Sequence, residues 1–269
     1  MGMDDSLFRK FAPVLTDPMP PRVRDPRLLM GEDGRLKVYY APFEHVNPDA
    51  RIVLVGITPG PTQMVNANNE ARRSLQRGFS IPDAMARAKL TASFSGEPMR
   101  TNLIKQLDHW GVPQWLGIKG ASSLFGAQAH LVQSTSLLRF PTFVSDADYA
   151  GTPNMVRNAF LRSYLDAHFV EEVRQLPQAV FFGLGPKVHA VLEALVREGA
   201  VDRERVISGM LHPSGNNTYR ITYLTGDRAG PVPHATNPVA YDAGRASFLK
   251  WIESFGKLAE SAAKPRGFA

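Results

Sequence analysis

The sequence has no cysteine in 269 residues. That excludes disulfides, a thiolate nucleophile, cysteine-ligated zinc and iron–sulfur clusters together. No window reaches the ~18 continuous apolar residues of a helical membrane span. The opening, MGMDDSLFRKFAPV, lacks the charged-then-apolar pattern of a secretory leader, so a cytoplasmic protein is expected. Internal repeats and low-complexity tracts are missing as well. So are a Gly-x-x-x-x-Gly-Lys-Ser/Thr phosphate loop and a Gly-x-Ser-x-Gly nucleophile elbow. His45, His109, His130, His168, His189, His212 and His234 show no His-x3-His or similar ligand spacing. Neither a metal nor a cofactor is therefore expected.

What is present is a basic chain, with a formal net charge of +6 and 43% apolar residues. The apolar content is enough for one large core. The charge suits a polyanionic partner such as nucleic acid. Residues 1–35, rich in Pro and Arg, read as an irregular N-terminal arm. Residues 36–258 read as a single α/β domain, and 259–269 as a flexible tail. Within the domain, Ile52 to Val55 form a continuous apolar run ended by Gly56, which fits a strand buried on both faces. Two helical pieces follow, broken around Gly78 and Pro82. RTNLIKQLDHWG is a helix with Leu103, Leu107 and Trp110 in register and Gly111 as its stop. AHLVQSTSLLRF is a strand and NMVRNAFLRSYLDAHF a helix. Ala179 to Phe182 are a strand, GLGP a turn, and Lys187 to Glu198 a helix opened by Pro186. ERVISGML is a further strand, and a last amphipathic helix carries Phe248, Ile252 and Phe255 on one face. Alternating strands and helices predict a mostly parallel sheet between helical layers.

In such sheets ligands bind beyond the carboxyl ends of the strands. Three loops fall there: GITPGPTQ, GLGPK and HPSGNN. GLGPK lacks the third glycine of a dinucleotide fingerprint, because Val188 stands in its place, so it reads as a tight strand-to-helix turn. Thr58 cannot head a nucleophile elbow, because Pro59 follows it. Arg72, Arg73, Arg77, Arg87, Lys89, Arg100 and Lys105 outnumber Glu70, Asp83 and Glu97 in the segment after the first loop. That segment reads either as a pair of solvated helices or as a phosphate-contacting surface.

GITPGP after a buried strand and HPSGNN after the last one resemble the uracil-DNA glycosylase superfamily, most of all its single-strand-selective monofunctional type. YYAPFEHVNPDARIVLVGITPGP is similar to that type's approach to its first motif. SFSGEPMRTNLIKQLDHWGV is similar to its Pro-Phe-Gly-Glu segment and the helix after it. HLVQSTSLLRF and AVFFGLGPKVHAVLEAL are similar to its base-reading strand and to the unit before its second motif. The resemblance implies a three-layer α/β/α sandwich. It also implies a DNA partner, single strands included, and hydrolysis of the N-glycosidic bond of a flipped uracil or related base in base excision repair. His212 would then stabilise charge developing on the leaving base. Pro213 and Ser214 would shape a contact to DNA phosphates, and Gly215, Asn216 and Asn217 the edge of a wedge in the base stack. Phe94 would stack on the flipped base. Ile57 and Thr58 would line the pocket, and Gln133 or Ser134 would read the base. Arg72, Arg73 and Arg77 would touch phosphates.

Two departures bear on activity. The family's water-positioning Asp or Asn is replaced by Thr58, whose hydroxyl cannot act as a carboxylate base. The base-reading Asn is also missing from its place. In addition, a basic insertion at about 61–93 exceeds the family's spacing. The alternatives are a glycosylase-fold protein that binds DNA or a nucleotide without excision, and an unrelated α/β enzyme using the same loops on a small molecule.

Overall fold

A computed structural model describes residues 5–226 and 228–263, with side chains as far as residue 254. The chain opens with helix α1 (Ser6–Thr16), followed by strands β1 (Leu29–Asp33) and β2 (Leu36–Tyr39). Strand β3 (Ile52–Gly56) leads into helices α2 (Pro61–Gln76), α3 (Ile81–Ala92), α4 (Met99–Trp110) and α5 (Val112–Leu116). Strands β4 (Val132–Ser136), β5 (Thr142–Val144) and β6 (Ala147–Asp148) come next. Helix α6 (Ala159–Tyr164) passes through a π-helical turn, Leu165–Val170, into α7 (Glu171–Arg174). The remainder is β7 (Val180–Gly183), α8 (Pro186–Arg197), β8 (Val206–Ile207), α9 (Thr218–Thr225) and α10 (Pro238–Ala263).

The central sheet has the order β4-β3-β7-β8, and every pairing in it is parallel. All five residues of β3 are buried, as the apolar run requires of a strand covered on both faces. Side chains alternate across a strand. Val53, Val55 and Phe181 accordingly pack on Leu161, Leu165, Phe169 and α8. Ile52, Leu54, Val180 and Phe182 pack the other way, on Leu103, Leu107, Trp110, Tyr241 and Phe248. The result is a three-layer α/β/α fold. Among the described residues no helix is long and apolar enough to cross a membrane.

Five expectations change. The N-terminal 35 residues are not an irregular arm. Phe8, Phe11 and Leu15 at i, i+3 and i+7 give α1 an apolar stripe, and it docks under Tyr40 and α2 in a third core cluster. The arm also supplies β1 to a second, antiparallel sheet of order β1-β2-β5-β6, which the α/β alternation does not announce. The single helix expected over 154–169 starts at Ala159, capped by Asn158, and contains the π-helical turn. The expected strand over 204–211 shrinks to Val206 and Ile207, because Gly209 turns the chain with φ 107°. Finally, α10 runs to Ala263, so the expected tail is helical at first; residues 264–269 and the Phe255 side chain lie outside the described residues.

The docking of α1 can be measured. Phe11 is 4% exposed and stacks on Tyr40 with ring centroids 4.4 Å apart. Phe11→Ala is expected to lower unfolding free energy by about 3–5 kcal/mol in urea. An unchanged midpoint would mean that the helix does not contribute to the core.

Candidate functional site

A cavity of about 530 Å³ opens beyond the carboxyl ends of β3 and β4. Ile57 and Thr58 line it from the first loop, and His212, Ser214 and Gly215 from the last. Phe94 and Ser134 line it as well, so residues widely separated in sequence meet at one sheet edge. Phe94 is 5% exposed and holds φ at 47°, a strained backbone for an aromatic residue. Strain of this kind persists only where the surroundings fix it, and here the ring sits beside Gly56 at the end of β3.

His212 is held from four directions. Two fully buried amides on α4, Asn102 and Gln106, stand one helical turn apart. Gln106 donates to the Leu211 carbonyl at 3.1 Å and accepts from the Leu211 N–H at 2.9 Å. Asn102 donates to the Pro213 carbonyl at 3.1 Å and to the Thr218 hydroxyl at 2.8 Å. From below, Asn217 donates to the His212 carbonyl at 2.7 Å. Behind it lies the GLGP turn: a Cβ on Gly185, whose φ is 95°, would stand 3.3 Å from that of His212. Glycine is required there by both φ and space. The turn is thus a backstop for the histidine.

The protonation state follows from one hydrogen bond. The Ser214 N–H donates to His212 Nδ1 at 3.3 Å. Nδ1 is therefore an acceptor, and burial holds the imidazole pKa below its ordinary value. The neutral ring carries its proton on Nε2, leaving one N–H donor on a residue that lines the cavity.

Other expected residues are placed differently. The Thr58 hydroxyl donates to the Phe140 carbonyl at 2.9 Å and accepts from the Thr142 N–H at 3.1 Å. Its one proton is committed to tying the first loop to the start of β5, so it has none to offer a water. Gln133 does not line this cavity. Its amide donates to Glu172 and to the His45 carbonyl and accepts from Asn47 N–H, so its hydrogen bonds are spent inside the protein. Pro213 is buried and offers no surface to a partner. Asn217 is a loop brace, bonded also to Arg220, while Asn216 stays exposed. Arg72, Arg73 and Arg77 are not at the cavity. α2 begins beside it at Pro61 and points away, so at 1.5 Å per residue these arginines lie roughly 16–24 Å along the helix. Arg73 is paired with Glu70.

Several residues that shape the site carry no sequence motif. Glu172 is fully buried and accepts from Thr135 Oγ1 and Arg139 Nη2, each at 2.8 Å, and from Gln133. Lys89 stands 3.5 Å away and donates to the His45 carbonyl at 2.6 Å. Lys89, Thr135 and Arg139 all reach the cavity wall. Burial acts to raise the Glu172 pKa, but Lys89, Arg139 and the two hydrogen bonds outweigh it and hold it below the ordinary range. Burial brings Lys89 down to about 8 despite Glu172. Glu44, 7% exposed, has no hydrogen-bond partner for either carboxylate oxygen among the described residues. Burial pushes it up to about 7, against the Tyr40 hydroxyl, Arg139 and Lys89. Glu97 and Asp148 are the carboxylates in the cavity lining, and burial raises the pKa of Asp148. One signal for the α4 clamp was available: Asn102 and Gln106 interrupt the apolar stripe of Leu103, Leu107 and Trp110. No group of three or more His, Asp or Glu suited to a metal occurs among the described residues.

Fold and site together define an α/β/α protein with a loop-built cavity at the sheet edge, a neutral histidine donor and a cationic floor. No protein-family model and no solved structure matches the chain. It is 35% identical over 211 residues to the uncharacterized protein YoxB of Bacillus subtilis (strain 168), covering 77% of this chain and 78% of that one. The chain belongs to the family of that protein.

Glu44 gives a pH test of the buried cluster. Its pKa is about 7 in the fold against an ordinary 4.5, so between these values the folded state keeps a proton that the unfolded chain has lost. The stability it contributes is full below about pH 4.5 and is lost as pH rises through 7. Glu44→Gln removes that dependence. Between about pH 4 and 8, wild type should therefore lose roughly 3 kcal/mol relative to the variant in urea titrations. A difference that does not vary with pH would contradict the assignment.

Proposed function

We propose that the protein is a DNA glycosylase of the uracil-DNA glycosylase superfamily type, a monofunctional hydrolase acting on uracil or a related deaminated base. The observation that carries this reading is the convergence of His212, Ile57, Phe94 and Ser134 on one cavity at the parallel sheet's carboxyl edge. These four residues, named from the motif resemblance, line the same cavity. The chemistry fits the reaction. Breaking an N-glycosidic bond puts negative charge on the departing base. A preorganised N–H donor lining the cavity stabilises charge of that kind. A neutral histidine also avoids the cost of desolvating a cation before the reaction begins. Phe94 supplies a rigid face for a flipped ring. On this reading the protein works on DNA in the cytoplasm, on single strands among its substrates.

A second reading has its own support. With the Thr58 proton committed and Gln133 turned to Glu172, the first loop offers no water-orienting carboxylate, and Ser134, with no amide, stands at the base-reading position. A glycosylase-fold protein that binds DNA or a nucleotide without excising a base fits those facts. The two readings divide on whether Glu97 or Asp148 orients the attacking water in place of Thr58.

An excision assay separates them. Oligonucleotides carrying uracil, hypoxanthine, xanthine or oxidised pyrimidines, single- and double-stranded, are incubated with the protein, then treated with alkali to cut abasic sites. Cleavage at one or more lesions is expected, with His212→Ala reducing it by roughly 10²–10³-fold while the far-ultraviolet spectrum and melting point hold. Asp148→Asn and Glu97→Gln identify the carboxylate that orients water. Salt-sensitive DNA binding without excision of any lesion would establish the second reading in place of the first.

A further inference from the structure

A second cavity, of about 350 Å³, shares Ile57 and Tyr149 with the first. One of its walls is a face of α8, from Lys187 through Val191 to Arg197; the other is the segment 154–157. Ten residues of helix separate Lys187 from Arg197, about 15 Å at 1.5 Å per residue. The cavity is thus a groove that starts at the sheet edge holding the main site and runs away along α8. Arg157, Lys187 and Arg197 line it, all three exposed, and no Asp or Glu does. Lys187 is fixed at the upper end by donating to the Ala150 carbonyl at 2.6 Å. The acids that sense Arg197, Glu193 and Glu198, are already paired with Arg203 and Arg162. Between the cations the floor is apolar, with Met155 and Val191 buried in it.

We propose that this groove carries the phosphodiester backbone of the strand whose nucleotide occupies the main cavity. The inference rests on the reading of that cavity as a nucleotide site. Three cations spread along about 15 Å do not converge on one point, as a site for a single small anion would require. They match a chain of phosphates. An apolar floor with a cationic rim suits an unstacked single strand, whose bases need apolar cover and whose phosphates need charge. The groove also supplies what the basic α2 segment does not, a positive surface continuous with the cavity mouth.

The test is a fluorescence-anisotropy titration of the full chain against a labelled single-stranded oligonucleotide with an uncleavable abasic analogue, over a salt series. Arg157→Gln, Lys187→Gln and Arg197→Gln are exposed substitutions, and their melting points serve as a fold control. Lys10→Gln, on the α1 side of the molecule, serves as a charge control. Each groove variant is expected to weaken binding several-fold and to reduce the salt slope by about 0.7, as loss of one phosphate contact on a single strand does. The triple variant should lose about three times as much slope, and Lys10→Gln none. Inorganic phosphate at low millimolar concentration should not displace the oligonucleotide. If wild type binds while all groove variants keep its affinity and slope, the groove assignment is overturned and the main-cavity reading stands. Displacement by inorganic phosphate would also overturn it, in favour of a small-anion site. A wild-type protein that binds no DNA would overturn the main reading, and the groove assignment with it.

Discussion

The constraint on which the structure depends is the burial of Glu172. A fully buried carboxylate is destabilising by several kcal/mol unless opposite charge and hydrogen bonds surround it. Here the compensation comes from three places at once. Lys89 arrives from α3, Gln133 and Thr135 from β4, and Arg139 from the loop after β4, all meeting Glu172 on α7 just past the π-helical turn. The turn is tied into the same network: its His168 carbonyl, which also accepts from the Glu171 N–H, accepts from Arg139 at 2.8 Å. Removing any one partner would leave charge stranded among the others. The floor of the cavity is therefore a set of mutual obligations between elements far apart in sequence, and it fixes where the wall of the cavity stands.

The opposite wall obeys a neutral version of the same rule. Asn102 and Gln106 are fully buried amides in an apolar helix face, where an unbonded amide is costly. Their partners include the carbonyls of Leu211 and Pro213 and the Leu211 N–H, backbone groups at the entry to the HPSGNN loop that would otherwise go to water. The loop is thus held by the helix beneath it, and the histidine inherits that rigidity. A donor fixed before any ligand arrives needs little reorganisation when charge develops against it. Both walls reach the cavity through β3, whose end carries Ile57 and Thr58 between them.

The legible parts of the sequence were those that depend on pattern alone. The apolar run of β3, the alternation of strands with helices and the position of loops at strand ends all follow from periodicity and turn chemistry. The parallel sheet between helical layers and the meeting of the Thr58 and His212 loops at one edge came from these, whereas Phe94 was expected only from the motif resemblance. Side-chain direction was not legible in the same way. Gln133 and Ser134 are adjacent, and only pairing in the sheet decides that Gln133 meets Glu172 while Ser134 reaches the cavity. Arg72, Arg73 and Arg77 are near the first loop in sequence, yet the axis of α2 carries them away from it. The N-terminal residues misled through composition. Prolines and arginines suggested an irregular arm, whereas Phe8, Phe11 and Leu15 already held the spacing of a buried helical stripe.

The changed role of Thr58 bears on how the site must work if it is a glycosylase. A threonine hydroxyl has one proton, and here the Phe140 carbonyl takes it. The bond does structural work: it ties the first loop to the start of β5 and so joins the antiparallel sheet to the cavity rim. A residue with that duty cannot also orient a nucleophile by donation, and its remaining lone pair can only receive a hydrogen bond from water. Catalysis would then rest on departure of the base, stabilised by the Nε2 proton of His212, with water captured late by a carboxylate at the mouth. Such a site is best suited to leaving groups that already carry negative charge well. Its selectivity would come from how readily the base leaves at least as much as from how it is read, which fits a wall that carries Ser134 and no amide in the base-reading position.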